Sequence, residues 1–369
     1  MKLNNLINKQ HLTLALAATI LGSAAAMAQP IGCGPYPGCL YAPPASYAVD
    51  RTTSIVTYND VAGLQRNVAV TIRRPIGRSG PLPVVIWVHG GGEGHSNPVT
   101  SMGEWSTATA QAGYLSIAGA HERREGSSLN GLCQALGVSA NDCSQFQPLN
   151  WDRPKDISAI IDQLVTMNAQ AGPWNGKIDV NRIVVGGHSA GSAAVLTVAG
   201  ARRLLVGNVP WNLTDPRPIA FLGFSPQGPG NLGFFETDFQ QPHTSWDGIA
   251  RPVLIVTGDG DANCVQPRDM CVETPMMRRI AFERLAPRDK YLMYIKSVET
   301  FHNLFALKTS ECQEKNVSQT DCAAFASWLQ SSALAFLDTY VEGRFAARFW
   351  LQSPFLKMAS GAIAGIEGK

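Results

Sequence analysis

The sequence carries almost no excess of charge of either sign: Lys+Arg total 30 against Asp+Glu 28, a formal net charge of +2. Its basic residues are scattered rather than run together, so it has no electrostatic footprint for a nucleic acid or an anionic membrane surface. Long hydrophobic runs are also scarce. Past residue 28 no stretch approaches the length of a transmembrane helix, which argues against stable membrane insertion. Internal repeats and low-complexity linkers are lacking, so residues 29–369 read as a single domain. None of the cysteine couples has Cys-x-x-Cys spacing and no histidine pair stands beside them, so no metal is expected there. Asp259-x-Asp261-x-Asn263 begins like a calcium loop. Cys264 then stands where that loop needs its glycine, and Met270 where it needs its bidentate glutamate.

The N-terminus does carry a pattern. Lys2 and Lys9 precede the apolar run 12–21, and small residues end in Ala26-Met27-Ala28, the form of a cleaved secretory signal over residues 1–28. A secreted or periplasmic location follows as the expectation. The eight cysteines all lie beyond it, in four close couples: Cys33 with Cys39, Cys133 with Cys143, Cys264 with Cys271, and Cys312 with Cys322. An even count in an exported chain implies disulfides. Local couples are the simplest of about 105 connectivities.

Residues 29–47 form a Pro/Gly-rich arm. Thr53 to Tyr58 and Asn67 to Arg74 alternate about a turn, suggesting an antiparallel hairpin at a sheet edge, where Arg73 and Arg74 suit exposure. Leu82 to Val88 is continuously apolar, the mark of a strand buried on both faces. A helix over Ser101 to Ala112 and a strand over Leu115 to Ala120 continue an α/β alternation. Residues 122–150 interrupt it as a polar insertion loop. A helix over Ile157 to Met167, strands ending at Phe224, Thr257 and Val298, and a helix from Ala323 to Tyr340 complete the domain. The expected class is α/β, an α/β-hydrolase fold with a mostly parallel central sheet and helices on both faces.

The centre of the pattern is Arg182 to Ser192. A β-branched run meets Gly187-His188-Ser189-Ala190-Gly191 and passes at once into helix-forming Ala193 to Leu196. A serine at such a strand–turn–helix elbow is held in a strained conformation with its hydroxyl exposed, and side chains at the flanking glycines would collide with neighbouring backbone. Ser189 is the candidate nucleophile. Serine needs a base, and the base needs a carboxylate to hold its tautomer. His302, after the last strand, is the candidate base. In Gly258-Asp259-Gly260-Asp261, the Gly-x-x-Asp spacing favours Asp261 as the acid, with Asp259 as the alternative. The oxyanion donors expected are the N–H groups of Gly91 and Ala190, with Gly92 or Gly90 in place of Gly91. His89 and His188 are expected to hold loops, and His95 and His121 are candidates for a pocket wall. His243 precedes the acid strand, out of order for a base.

From about Leu82 to His302 the succession His-Gly-Gly-Gly, Arg-Pro-Lys-Asp, Gly-His-Ser-Ala-Gly, Ser-Pro-Gln-Gly, Gly-Asp-Gly-Asp and Phe-His resembles exported bacterial α/β-hydrolases of the dienelactone-hydrolase-like and platelet-activating-factor-acetylhydrolase-like group. Serine stands where true dienelactone hydrolases have cysteine. The resemblance implies cofactor-free hydrolysis of small-molecule carboxylic esters. Rival readings are a serine peptidase, for which Glu93 could clamp a substrate amine, and a non-catalytic binding member of the fold. With no long amphipathic lid near the motifs, short or medium acyl or small aromatic esters are expected, with Trp151, Phe234, Phe235 and Trp246 at the pocket rim.

Overall fold

The computed structural model describes residues 39–91, 97–143, 148–204, 210–228, 245–265 and 270–369. In chain order the elements are β1 (Val49–Asn59), β2 (Gln65–Pro75), β3 (Leu82–Val88), α1 (Gly103–Gln111), β4 (Leu115–Ala120), α2 (Gly126–Ala135), α3 (Ala140–Cys143), α4 (Pro148–Ala169), β5 (Ile178–His188) and α5 (Ala190–Ala199). They continue with β6 (Arg203–Leu204), β7 (Pro210–Trp211), β8 (Ala220–Phe224), β9 (Val253–Gly258), β10 (Asn263–Val265), β11 (Met270–Glu273), α6 (Pro275–Arg284) and β12 (Lys290–Ile295). The chain closes with α7 (Gln319–Tyr340), α8 (Phe345–Leu351), α9 (Phe355–Ala359) and β13 (Ala364–Gly368).

A nine-stranded sheet runs in the order β1-β2-β4-β3-β5-β8-β9-β12-β13. Its centre, from β4 to β12, is parallel, and its margins β1, β2 and β13 are antiparallel. Because side chains alternate across a strand, the continuous apolar runs divide between two cores. Val84, Ile86 and Val88 of β3, with Val253 and Ile255 of β9, face the core built with α4, α5 and α6. Val85, Trp87, Leu254 and Val256 face the other, built with α1, α7 and α8. The protein is thus α/β with helices on both sheet faces.

Several local expectations are corrected. Residues 122–150 are not a polar loop: they hold α2, α3 and the first turn of α4. Leu129, Leu132 and Leu136 repeat at helical spacing and pack with Cys133, Cys143 and Trp151 into a small satellite core. Glycines 126 and 131 and the polar residues between them obscure that stripe in the sequence. Helix α4 begins nine residues before the expected Ile157 and accommodates Pro154 within it. A buried ionic cluster holds this first stretch: Arg66 bonds Asp156 at 2.6 and 2.8 Å, Arg124 bonds Asp152 at 2.7 and 2.8 Å, and Arg124 also meets Asp60 of the hairpin turn. Arg73 is buried rather than at an exposed edge, because β1 pairs beyond β2 and α1 packs over the face from which Arg73 projects; its guanidinium donates to Ser106 Oγ of α1 and to Val99 O. Strand β13 carries no clear signal in the sequence, being a short, glycine-containing edge strand.

Disulfides join Cys133 to Cys143 and Cys312 to Cys322. Cys264 and Cys271 stand opposite each other in the β10–β11 register, but their side chains, like Cys33, lie outside the described residues. No helix among the described residues is long and apolar enough to cross a membrane.

Candidate active site

Strand β5 delivers Ser189 to the carboxyl edge of the sheet, where open parallel sheets place their functional groups. Ser189 has φ 54° and ψ −123°, outside the regions a side-chain-bearing residue occupies without strain. Its own N–H donates to Phe224 O at 2.9 Å, tying the elbow to β8. The flanking glycines are there for space. A Cβ on Gly191 would stand 2.2 Å from Val88 O, and one on Gly187 would stand 2.7 Å from the Gly191 backbone. Ala190 opens α5, so its N–H has no intrahelical partner and lies at the positive end of the helix dipole.

His302 enters from the turn after β12, in a short 3-10 helix over His302–Ala306. Its Nδ1 lies 2.9 Å from Oδ1 of Asp261, which is fully buried. Asp259, the alternative acid, is turned away and accepts a hydrogen bond from the Tyr294 hydroxyl at 2.6 Å. Ser189, His302, His188, His89, Gly90, Gly91 and Lys308 line one cavity of about 370 Å³, which Thr100, Ser101, Met102, Asn303 and Ala306 complete.

The loop after β3 is held from behind. Arg153, in α4, donates to Gly91 O at 2.5 Å and lies 3.4 Å from Gly90 O, while His89 Nδ1–H donates to Gly90 O at 2.7 Å. In a trans peptide the carbonyl and the following N–H point in opposite directions. Anchoring the Gly90 carbonyl therefore aims the Gly91 N–H away from Arg153. Gly91 has φ +83°, which glycine adopts freely. Gly90 itself is spatially constrained, since a Cβ there would stand 2.9 Å from Ser189 Cβ. Gly92 lies outside the described residues.

The histidines sort by partner. His188 Nε2–H donates to His302 O at 2.9 Å, fixing the backbone of that residue. Burial, then the charges of His302, Arg278 and Lys308, push His188 well below the ordinary histidine range, so it is neutral. His89 Nε2 accepts from His121 N–H at 3.1 Å. His121 is fully buried against Asp156 at 2.9 Å rather than on the cavity wall, and burial lowers it despite that carboxylate. Burial raises Asp156, but hydrogen bonds from Arg66 and His121 outweigh it and hold this carboxyl at about 2. His95 and His243 lie outside the described residues, as do Glu93, Phe234 and Phe235. Trp151 and Trp246 are core residues and not rim: Trp151 packs in the satellite core and Trp246 is fully buried in the core that β3, α4, α5 and α6 share.

Two buried arginines to which no sequence motif assigns a role brace these turns. Arg278, fully buried in α6, places Nε 2.8 Å from Asp261 O and 3.0 Å from Asp261 Oδ1. Its other arm reaches Ser225 O at 2.8 Å and Glu273 Oε2 at 2.9 Å, so one guanidinium joins the turn of Asp261, the turn after β8 and the end of β11. Arg153 supports the loop after β3 from the opposite side. Each arginine stands at position i of an i, i+3, i+4, i+7 stripe that is otherwise apolar or buried: Arg278 with Ala281, Phe282 and Leu285, and Arg153 with Asp156, Ile157 and Ile160. An arginine on a buried stripe was the signal available in the sequence.

The sequence matches no family model and no curated protein. Among the described residues no group of three or more His, Cys, Asp or Glu side chains could hold a metal ion.

Proposed function

We propose that this protein is an exported serine hydrolase of the α/β-hydrolase fold that cleaves carboxylic esters through an acyl-enzyme. One observation carries the reading: a serine in a strained strand–helix elbow shares a cavity with a histidine whose far nitrogen is 2.9 Å from a buried aspartate. In this reading Ser189 Oγ attacks the ester carbonyl while His302 Nε2 takes its proton. The Asp261 carboxylate stabilises the imidazolium. The N–H groups of Ala190 and Gly91 receive the developing oxyanion without reorganising, as fixed donors do best. His302 then passes the proton to the departing alkoxide, and water repeats the sequence on the acyl-enzyme. Neutral His188 acts through the backbone it holds, as a positioning residue. Two disulfides and the absence of a membrane-crossing helix among the described residues are compatible with an extracellular setting.

The test is labelling by a fluorophosphonate probe, beside turnover of 4-nitrophenyl esters and aminoacyl anilides. Labelling at Ser189 that vanishes in Ser189→Ala, with ester turnover exceeding anilide turnover, is expected. Folded protein that neither labels nor hydrolyses any ester would refute the reading.

A further inference from the structure

Among the described residues that line the cavity above Ser189, Lys308 is the one formally charged side chain apart from the titratable histidines, and none of them is a carboxylate. The ammonium has no ion-pair or hydrogen-bond partner among the described residues, in a protein whose other half-buried cations are commonly matched by a carboxylate. Its backbone is firmly held. The N–H of Lys308 donates to Asn303 O at 3.1 Å, Leu307 before it turns through φ 59°, and the Cys312–Cys322 disulfide closes the chain just beyond. The Glu311 carboxylate accepts from the amide of Asn303 at 3.2 and 3.0 Å and makes no ion pair with Lys308. An unpaired cation facing a partly enclosed cavity attracts an anion more strongly than one in open water, because the low-dielectric walls screen it less.

The position of Lys308 also selects which half of an ester carries that anion. The oxyanion donors Gly91 and Ala190 lie on the β3 and β5 side, whereas Lys308 follows His302 in the same loop. His302 must protonate the leaving alkoxide, so the alcohol half of the substrate departs along this side. We propose that the preferred substrates are esters whose alcohol half bears a carboxylate, that is, O-acyl hydroxycarboxylates, with Lys308 binding the carboxylate. The reaction balances as simple hydrolysis. The acyl C–O bond breaks, the alkoxide takes a proton through His302 to give the free hydroxycarboxylate, and water supplies the oxygen of the released carboxylic acid. This specificity rests on the serine-hydrolase reading.

The test uses 4-acetoxybenzoate and its neutral isostere 4-acetoxybenzamide, which differ in charge but share the acyl group and the bond broken. Wild-type protein is expected to favour the anion in kcat/KM by on the order of tenfold, chiefly through KM, and 1 M salt should erode the preference. Lys308→Gln should cut the anion-to-neutral ratio about tenfold, Lys308→Arg should keep it, and Lys308→Glu should invert it. A general disturbance of the site would lower both substrates together and leave the ratio unchanged. A ratio equal in wild type and Lys308→Gln, with both esters still cleaved, refutes the lysine proposal alone. Hydrolysis of the amide isostere that survives Ser189→Ala refutes the underlying reading instead.

Discussion

Replacing Asp261 by asparagine should cost about a hundredfold in kcat, less than is usual for a triad acid, and the reason lies in Arg278. An asparagine can present either its oxygen or its amide nitrogen to His302 Nδ1. Presenting nitrogen forces the wrong imidazole tautomer, which in such triads costs on the order of 10⁴. Here the oxygen atom of Asp261 that faces His302 at 2.9 Å also faces Arg278 Nε at 3.0 Å, and both neighbours are donors. The amide oxygen must take that place, with nitrogen turned to the Thr257 hydroxyl, which can serve as acceptor; it now donates to Asp261 Oδ2 at 2.8 Å. The tautomer is kept and only the charge is lost. At an effective dielectric of about 20, a full charge at that distance is worth about 6 kcal/mol to the imidazolium. A neutral acceptor keeps about half. The remaining ~3 kcal/mol corresponds to roughly a hundredfold. Asp261→Ala, which also frees the ring, should approach 10⁴, and Asp259→Asn should stay within about twofold, since it loses only the Tyr294 bond. Steady-state turnover of 4-nitrophenyl acetate by variants with native circular dichroism reads all three. Near-wild-type turnover in Asp261→Asn beside a hundredfold loss in Asp259→Asn would refute the assignment of the acid.

Arg153→Met should lower kcat about 10- to 100-fold, since small displacements of a donor loop are costly. Its melting temperature should hold, because the buried guanidinium, which burial lowers to about 10, keeps an unsatisfied Nε that methionine removes; unchanged kcat would mean the loop stands without it. Stability should fall in acid. The Asp156 carboxyl is held at about 2 against an unperturbed 3.8, so its contribution of about 2 kcal/mol is whole above pH 4 and lost as pH falls through 2. Urea midpoints at pH 5 and pH 2.5 should show that loss shrink in Asp156→Asn. Cys264→Ser/Cys271→Ser should reduce turnover more than Cys33→Ser/Cys39→Ser, because β11 ends in Glu273, which holds Arg278 at 2.9 Å and through it Asp261. Equal turnover with only a lower melting temperature would leave this couple a merely stabilising link.

What was legible in the sequence is what local chemistry determines. The continuous apolar run of β3, bounded by turn residues, marks a strand buried on both faces, and Gly187 to Gly191 carries the elbow because a side chain at Gly187 would meet the Gly191 backbone and one at Gly191 the Val88 carbonyl. The order of Ser189, Asp261 and His302 along the chain could be read because each follows a strand, and parallel strands deliver their ends to one edge. Tertiary structure decided the rest. Asp259 and Asp261 sit two residues apart in one turn, and only the approach of Arg278 and His302 from distant elements shows which carboxylate faces inward. Trp151 and Trp246 could line a pocket or fill a core on composition alone; packing put both in cores. The helices within 122–150 became visible only once a disulfide and Trp151 gave a weak stripe something to bury against. Arg153, Arg278 and Lys308 differ little as residues in a sequence, and what separates them is the field each meets: two buried among carbonyls and carboxylates, one with no carboxylate partner among the described residues in the cavity of the candidate nucleophile.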